Sequence, residues 1–468
     1  MNQIFDFSQY QENIALLTDN NEKITYRNLE QIAMIFSRCI NGRKLIFCLC
    51  NKQIGAVVGY YSSISNNLVP LLLDSTKDKD LLNQLICLYD PHYLWIPIKI
   101  YKKEYGCILY SAFDYYLVER RAKDLLLNQN LALLLATSGS TGSPKLVRIS
   151  YENILNNAES IADYLNITAN ERPIMSLPMY YSYGLSVINS HLIKGATILL
   201  TDKPVIQKEF WRFAKNQKAT SISGVPYTYE MLKRLRLFQM DLPCLRMMTQ
   251  AGGKLNVSIA KEYMEQAKVL GKRFIVMYGQ TEATARMSYL PWEHAIEKCG
   301  SIGIAIPGGK FFLMDENDNK INKAGIDGEL VYIGQNVSMG YAESREDLAK
   351  GDVNNGMLHT GDVARMDEDG YYYITGRIKR FVKIFGNRVN LDATEQLVKA
   401  ITTSCACVGV DDLLTIFTTE EGKEEEIKSL LVKKTGLNIR AFSVRFITSI
   451  PKNASGKIQY AELSRFLD

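Results

Sequence analysis

Short apolar runs alternate with segments of helical periodicity along much of this chain, and this alternation narrows the folds that it can adopt. The pattern predicts a buried strand at residues 45–49, a helix at residues 54–64 and a second strand at residues 68–73. Strands that alternate with helices form largely parallel sheets, and the helices cover the faces of those sheets. The sequence therefore predicts an α/β fold.

The alternation continues as far as residue 277. Ser150 is expected to cap a helix whose apolar residues recur at helical spacing from Ile154 to Leu165. Further apolar runs predict strands at residues 131–136, 146–149, 174–175, 196–200, 221–225, 245–248 and 274–277. We expect these elements to form a large N-terminal domain of packed α/β sheets.

The pattern changes beyond residue 300. Glycine-rich turns then separate shorter apolar runs, and residues 367–370 give a hairpin signal before three tyrosines, which predicts a β-rich subdomain. The last part predicts a small α+β unit with strands at 407–410, 413–417 and 442–447 and helices at 391–401 and 423–435. Because 468 residues exceed one ordinary core, we predict an N-terminal domain at residues 1–378 and a C-terminal domain at residues 379–468.

Composition narrows the classes of function. Hydrophobic residues make up 47% of the chain and charged residues 22%, which is ordinary for a globular protein. The formal net charge is +5 and the basic residues are scattered, so the basic stripe of a nucleic-acid-binding protein is not found. The nine cysteines are odd in number and include no C-x-x-C pair, so we expect neither a zinc site nor a disulfide framework. No signal peptide and no bilayer-length apolar run is recognised, which predicts a cytoplasmic protein.

A glycine- and hydroxyl-rich loop between two predicted strands is suited to binding a polyanion. Its residues are Thr137, Ser138, Gly139, Ser140, Thr141, Gly142, Ser143, Pro144 and Lys145. Glycines allow close approach of the backbone, hydroxyls donate hydrogen bonds and Lys145 adds a positive charge. A Walker A loop is excluded, since Pro144 replaces its last glycine and Leu146 replaces the Ser or Thr after the lysine. The residues alone leave open a phosphate loop of another kind or a serine-glycine turn without function.

Five further segments carry residues with binding or catalytic chemistry. They are Ala251-Gly252-Gly253-Lys254, Tyr278-Gly279-Gln280-Thr281-Glu282, His359-Thr360-Gly361-Asp362-Val363, Gly376-Arg377-Ile378-Lys379 and Pro451-Lys452-Asn453-Ala454-Ser455-Gly456-Lys457. Together with the loop, they resemble the signatures of the adenylate-forming superfamily and occur in the same order. That superfamily contains acyl-CoA synthetases, non-ribosomal peptide adenylation domains and luciferases. The resemblance extends over nearly the whole chain.

The resemblance implies a binding site for ATP. The loop at residues 137–145 would hold the β- and γ-phosphates, and adenine would lie along residues 251–253, where small residues let a flat ring pack against the backbone. Residues 278–280 would belong to the same nucleotide site. Asp362 would accept hydrogen bonds from both ribose hydroxyls, with Arg377 beside the ribose.

The resemblance also implies catalytic roles. Glu282 would be an oxygen ligand of the Mg²⁺ that accompanies ATP, although a solvated loop carboxylate is the alternative for this residue. Thr281 would contact the α-phosphate, and Lys145 would act on the leaving phosphates. Lys457 would bridge the substrate carboxylate and the α-phosphate, lowering the cost of bringing two anions together. Lys379 would be the hinge residue, or else an ordinary surface lysine.

The reaction that the resemblance implies has two halves. A carboxylate attacks the α-phosphorus of Mg·ATP and gives an acyl-adenylate and pyrophosphate. A phosphopantetheine thiol, from CoA or from a separate acyl carrier protein, then displaces AMP. The small C-terminal domain of such enzymes is mobile and rotates about the hinge, so that Lys457 leaves the site and another surface, here including residues 386–388, arrives.

A tyrosine-rich segment resembles the entrance of the substrate pocket in this superfamily. It contains Tyr181, Ser182, Tyr183 and Gly184, and Val225 resembles a residue of another pocket wall. Ser182 occupies the position at which amino-acid-activating relatives carry an aspartate that pairs with the α-ammonium. Because a neutral serine holds a buried ammonium poorly, we expect a carboxylic acid without an α-amino group. The tyrosines could equally fill core space.

Two alternatives to an acid–thiol ligase remain open. One is a stand-alone amino-acid adenylating enzyme that loads a carrier protein. The other is a nucleotide-binding relative that has lost catalysis, although the joint presence of Lys145, Glu282, Asp362, Arg377 and Lys457 counts against it.

Overall fold

The structure is a computed structural model that describes residues 5–76, 79–136, 145–384, 387–410, 412–452 and 458–467. The chain divides into two compact units. The first contains residues 1–138, 143–310 and 333–358, and the second contains residues 139–142, 311–332 and 359–468. The predicted domain boundary after residue 378 remains a prediction.

The described residues form helices and strands in chain order. The helices are α1 (Tyr26–Ser37), α2 (Ile54–Ser65), α3 (Lys79–Tyr89), α4 (Tyr151–Tyr164), α5 (Ser182–Leu192), α6 (Lys208–Asn216), α7 (Pro226–Arg234), α8 (Val257–Val269), α9 (Leu391–Val398), α10 (Glu424–Thr435) and α11 (Tyr460–Ser464). The strands are β1 (Ile14–Thr18), β2 (Lys23–Thr25), β3 (Leu45–Cys50), β4 (Val69–Asp74), β5 (Tyr93–Pro97), β6 (Cys107–Ala112), β7 (Tyr115–Glu119), β8 (Leu131–Ala136), β9 (Leu146–Ser150), β10 (Pro173–Ile174), β11 (Ile198–Leu200), β12 (Ser221–Gly224), β13 (Met247–Gln250), β14 (Arg273–Tyr278), β15 (Ser288–Tyr289), β16 (Ile304–Ala305), β17 (Lys310–Met314), β18 (Lys320–Ile321), β19 (Asp327–Ile333), β20 (Tyr341–Ala342), β21 (Met357–Met366), β22 (Tyr372–Arg377), β23 (Phe381–Ile384), β24 (Asn387–Asn390), β25 (Cys405–Val410), β26 (Leu413–Thr418) and β27 (Phe442–Phe446).

Two large sheets form the first unit. One has nine strands in the order β16-β15-β14-β13-β12-β10-β11-β1-β2, and the other has eight in the order β20-β9-β8-β4-β3-β5-β7-β6. Parallel pairs fill the centre of each sheet, and antiparallel pairs lie towards the edges. Parallel neighbours require crossover connections, and helices such as α2 and α8 supply them. The predicted α/β fold class is confirmed.

Local sequence explains two helices that shape this unit. From Ile54 to Ile64 every residue of α2 is buried, which fits a helix enclosed by packed elements rather than one exposed on a surface. Helix α4 starts with a capping box, as expected from Ser150. The Ser150 hydroxyl accepts a 3.0 Å hydrogen bond from the Asn153 amide, and the Asn153 side chain accepts one of 2.9 Å from the Ser150 amide.

The second unit contains a five-stranded sheet and a small α+β part. The sheet has the order β18-β17-β19-β21-β22, and the predicted hairpin at residues 367–370 joins its last two strands. Gly370 has φ +81°, and its amide donates to the Asp367 carbonyl at 3.1 Å. In the α+β part, β25, β26 and β27 pack against α9 and α10 around buried residues such as Ile416 and Ile427.

A search of the described residues found no helix that combines the length and apolar character required to cross a bilayer.

Candidate functional site

The predicted nucleotide segments of the first unit follow two neighbouring parallel strands. Strand β13 pairs with β14, and Gln250 lies opposite Val276. Residues 251–253 come directly after β13, and the segment that begins with Tyr278 closes β14. The carboxyl ends of adjacent parallel strands meet at one edge of a sheet, which is where ligands bind in open α/β sheets. The fold therefore brings these two predicted segments together.

Gly252 lies too close to its neighbours to carry a side chain without strain. It has φ +83°, and a Cβ there would lie 2.5 Å from the Tyr181 hydroxyl and 3.2 Å from Val225 Cγ1. Gln250 Nε2 donates a 2.9 Å hydrogen bond to the Gly253 carbonyl and holds the turn in place. The lack of a side chain at residue 252 thus lets this backbone segment pack directly against Tyr181 and Val225.

The backbone doubles back after Gly279. A Cβ on that residue would lie 1.8 Å from the Ala285 carbonyl oxygen, so only glycine fits. Ala285 itself has φ +154°, a conformation that residues with a Cβ rarely adopt. Asn336 supports this turn, because its Nδ2 donates 2.8 Å hydrogen bonds to the carbonyls of Ala283 and Arg286. The turn holds the loop that presents Thr281 and Glu282.

A charged cluster surrounds Glu282. The Tyr341 hydroxyl donates a 2.7 Å hydrogen bond to Glu282 Oε1, and Lys145 Nζ lies 2.6 Å from Glu343 Oε1. Lys145 Nζ also lies 5.8 Å from the centroid of the Tyr341 ring. Burial raises the pKa of Tyr341, and the Glu282 carboxylate adds to that effect, so the hydroxyl remains a protonated donor. Lys145 and Glu282, which are far apart in sequence, are therefore neighbours through Tyr341.

Glu282 fits the role of a single protein ligand for a metal that travels with a nucleotide. Its carboxylate is only partly buried, and Tyr341 orients one of the two oxygens. Within the described ranges, no cluster of three or more His, Cys, Asp or Glu side chains could hold a metal. Mg²⁺ commonly takes one or two protein carboxylates and completes its shell with phosphate oxygens and water.

The predicted pocket residues at the start of α5 lie beside the loop after β14. Ser182 is 6% exposed, and its hydroxyl oxygen lies 3.1 Å from that of Thr281. Burial raises the pKa of Tyr181 to about 12. The next tyrosine, Tyr183, is buried and donates a 2.8 Å hydrogen bond to the Thr249 carbonyl. Gly184 packs so closely that a Cβ would lie 2.1 Å from the Pro178 carbonyl oxygen.

Asp362 and Arg377 lie opposite each other on β21 and β22 in the second unit. Arg377 Nε is 2.7 Å from Asp362 Oδ1, and the Asp362 carboxylate is buried while the Arg377 side chain is exposed. The Asp362 amide donates a 3.1 Å hydrogen bond to the Thr360 hydroxyl. The sequence predicted both residues near a ribose, and the structure brings them together as an ion pair.

Several predicted site residues lie outside the described residues. These are Thr137, Ser138, Gly139, Ser140, Thr141, Gly142 and Lys457. The backbone of Lys379 is described, but its side chain is not.

One residue next to this site was missed by the sequence analysis. Arg286 is 1% exposed, and its Nη2 donates a 3.1 Å hydrogen bond to the hydroxyl of Ser186 on α5. The available signal was a lone arginine in the otherwise uncharged stretch at residues 283–290.

The fold and the site together define an α/β protein of the adenylate-forming class. The model of the family described as AMP-binding enzyme matches residues 68–342, which is more than half of the chain. This chain belongs to that family, and the predicted resemblance is confirmed.

Two similar proteins are CoA-forming enzymes. The long-chain-fatty-acid–CoA ligase of Escherichia coli O157:H7 is 29% identical over 367 residues, which are 73% of this chain and 62% of the relative. The feruloyl-CoA synthase of an Amycolatopsis species is 27% identical over 353 residues, 72% of this chain and 70% of the relative. The match thus spans less than two thirds of the length of the Escherichia coli relative.

A solved structure shows the same fold. O-succinylbenzoate coenzyme A synthetase from Bacillus subtilis, in complex with AMP, superposes with a TM-score of 0.80 at 21% identity and covers 98% of this chain and 96% of that chain. The same enzyme is also known in complex with ATP and a magnesium ion.

Proposed function

We propose that this protein uses ATP to activate a carboxylic acid and then transfers the acyl group to the thiol of CoA. In the first half, a carboxylate oxygen bonds to the α-phosphorus while the bond to pyrophosphate breaks. In the second half, the thiol sulfur bonds to the acyl carbon and AMP leaves. The 3.1 Å contact between Ser182 and Thr281 is the main support for this proposal, because it joins a predicted substrate-pocket residue to a predicted nucleotide residue.

The nucleotide roles that we propose come from the sequence signatures and agree with the chemistry at each position. Adenine lies along residues 251–253, Thr281 contacts the α-phosphate, and Glu282 is the protein ligand for Mg²⁺. Asp362 accepts hydrogen bonds from the ribose hydroxyls, and the exposed Arg377 holds that carboxylate in place. When bound, Mg²⁺ supplies positive charge that stabilises the departing phosphates.

The remaining catalytic roles rest on the sequence signatures. The loop at residues 137–142 and Lys145 hold the leaving pyrophosphate, and Lys457 lies between the attacking carboxylate and the α-phosphate. Lys379 is the hinge about which residues 386–388 reach the site for thioester formation.

The acid that we propose carries no α-amino group. The neutral Ser182 stands at the entrance of α5, and its hydroxyl already pairs with Thr281. Tyr181, which precedes Ser182 in the chain, and Val225 both lie close to Gly252. These neighbours offer an ammonium no anionic partner.

CoA is the acceptor that the relatives support, since they are named as CoA ligases. A separate acyl carrier protein remains the alternative acceptor, and a cytoplasmic location remains a prediction.

A pyrophosphate-release screen tests this function. The purified chain is incubated with Mg·ATP and a panel of carboxylic acids, including amino acids, with and without CoA. We expect release with acids that lack an α-amino group and formation of a thioester when CoA is present. Pyrophosphate release with amino acids alone would favour the amino-acid adenylating enzyme. If none of the acids in the panel caused pyrophosphate release, the proposal would be contradicted.

A further inference from the structure

Arg286 is a buried cation that no carboxylate balances among the residues that the structure describes. Its Nη2 donates to the Ser186 hydroxyl at 3.1 Å, and its Nη1 lies 3.0 Å from the thioether sulfur of Met277. Its Nε is buried without a hydrogen-bond partner. The guanidinium carbon lies 3.9 Å from the centroid of the Tyr183 ring, which adds a cation–π contact. One hydroxyl, one sulfur and one aromatic face are a weak environment for a full positive charge.

Arg148 shows how this chain satisfies an arginine whose role is structural. It is as deeply buried as Arg286, but its guanidinium donates to the carbonyls of Met339, Tyr341 and Lys350 at 2.5, 3.1 and 2.6 Å. A buried charge without such partners is costly, because water no longer solvates it. The poorer environment of Arg286 therefore favours a partner beyond the residues that the structure describes, such as a bound ligand.

The position of Arg286 relative to the proposed reaction centre is set by α5. Ser182 contacts Thr281, and Ser186, one helical turn later on the same face, contacts Arg286. One turn separates these two serines by about 6 Å along the helix axis. Two serines one turn apart on α5 thus link Arg286 to the residue proposed to contact the α-phosphate.

A second, partly buried donor contacts the same weak acceptor. The Tyr164 hydroxyl lies 3.1 Å from Met277 Sδ, which Arg286 Nη1 also contacts. Burial raises the pKa of Tyr164, so this hydroxyl remains a proton donor. Because a thioether sulfur accepts hydrogen bonds weakly, both donors would form stronger hydrogen bonds to an oxygen acceptor.

We propose that Arg286 binds a second carboxylate at the far end of the substrate, so that the acid activated is a short dicarboxylic acid. This inference rests on the proposed function. A carboxylate would accept from the unpaired Nε and from a neighbouring guanidinium nitrogen, the arrangement in which arginine binds carboxylates most strongly. The Tyr164 hydroxyl is a further donor within the cluster. The guanidinium would also repel an α-ammonium, in agreement with the neutral Ser182.

Pairs of acids with equal carbon number test the inference. Pyrophosphate release is measured with succinate against butyrate and with glutarate against valerate, and the ratio of kcat/KM values is compared between proteins. We expect the wild-type chain to prefer the dicarboxylic acid of at least one pair. In Arg286→Met the ratio should fall by about 30-fold or more, since a buried charge pair is lost. Arg286→Lys should retain part of the preference for the dicarboxylic acid, because lysine keeps the positive charge but lacks the paired N–H donors of a guanidinium.

Arg172→Met is the matched control, since it removes a half-buried arginine that bonds the Gln217 side chain elsewhere in the first unit. Its ratio should equal that of the wild type. A wild-type preference for the monocarboxylic acid, or an unchanged ratio in Arg286→Met, would overturn the inference and leave the proposed function standing. If circular dichroism shows that Arg286→Met does not fold, Arg286→Lys provides the test. A lower dicarboxylic-to-monocarboxylic ratio of kcat/KM values than in the wild type would then support the inference, and an unchanged ratio would overturn it.

Calorimetric titration separates this inference from the proposed function. Succinate and glutarate are titrated into the wild type and into Arg286→Met, each in the presence of AMP. Binding of a dicarboxylic acid to the wild type but not to Arg286→Met would support the inference. It would do so even if no acid caused pyrophosphate release, and that lack of release would overturn only the proposed function. Absence of dicarboxylate binding to the wild type, together with turnover of monocarboxylic acids, would overturn only the inference.

Discussion

The Tyr341 hydroxyl donates a hydrogen bond of 2.7 Å to Oε1 of Glu282. Tyr341 lies on β20, which pairs with β9, and β9 begins one residue after Lys145. A proposed metal ligand and a proposed phosphate-binding lysine are therefore linked through one tyrosine on an edge strand.

We expect Tyr341→Phe to weaken the use of Mg·ATP without abolishing catalysis. Loss of the hydroxyl leaves the Glu282 carboxylate free to rotate, and a partly exposed hydrogen bond to a charged group contributes about 1 kcal/mol. The Mg·ATP concentration at half-maximal pyrophosphate release should rise about fivefold. Tyr101→Phe is the control, since it removes a tyrosine hydroxyl that bonds the Gly106 carbonyl. Equal effects of the two substitutions would show that Tyr341 does not orient Glu282.

Asp362→Asn should remove the discrimination between ATP and its deoxy analogues. A carboxylate that accepts from the ribose hydroxyls binds ATP more tightly than 2′-deoxy- or 3′-deoxy-ATP, by roughly tenfold. The variant should bind all three nucleotides with similar, weaker affinity, measured by calorimetric titration. Asp327→Asn is the matched control, because Asp327 forms an ion pair with Arg365 on the exposed face of the same sheet. Preserved discrimination in Asp362→Asn would rule out the ribose role.

Lys457→Ala should separate the two half-reactions. Without the lysine, the attack of one anion on another loses its bridging cation, so carboxylate-dependent pyrophosphate exchange should fall to background. Thioester formation from a supplied acyl-adenylate and CoA should continue at close to the wild-type rate. Lys452→Ala removes an exposed lysine from the same segment and should affect neither reaction. An equal loss of both half-reactions in Lys457→Ala would contradict the two-conformation cycle.

His191 should make the first unit less stable in mild acid. Its Nδ1 donates to the Val187 carbonyl at 2.8 Å, and burial lowers the pKa of His191 from 6.5 to about 4. The unfolded chain binds a proton on this residue below its unfolded pKa, whereas the folded chain does so only near pH 4. The stabilising contribution is therefore complete above the unfolded pKa and is lost as the pH falls towards 4.

Urea unfolding at about pH 7 and about pH 5 measures this effect. His191→Asn keeps a donor near the Nδ1 position and cannot titrate. The wild type should lose about 2 kcal/mol more unfolding free energy than this variant over that interval. Exposed His294→Asn should behave as the wild type does. Parallel losses in the wild type and in His191→Asn would exclude His191 as the origin.

Local signals account for what the sequence could predict of the fold. The Ser150 cap requires only Asn153, three residues away, and β3 is an apolar run that is buried throughout. By contrast, β20 has two residues, and it becomes a strand only because β9, far earlier in the chain, offers its edge. No local pattern predicts a strand of that kind.

The same distinction holds for the site. Gly252, Thr281 and Glu282 stand within short signatures, so the sequence alone could suggest them as candidate site residues. The charge of Arg286 was visible, but its burial depends on the packing of α5 and β14 around it. That no described carboxylate lies beside it likewise depends on every neighbour. Burial and the choice of charge partners depend on tertiary packing, so the local sequence does not predict them.

The short strand β20 also sets where the first unit can be cut. A recombinant fragment that ends at residue 310 would retain β1 to β16 but lose the carbonyls to which Arg148 donates. The outer edge of β9 would then present unpaired backbone groups, which invite association between chains. A soluble fragment for crystallisation or screening should therefore extend to residue 358, with residues 311–332 retained or replaced by a short glycine-serine bridge.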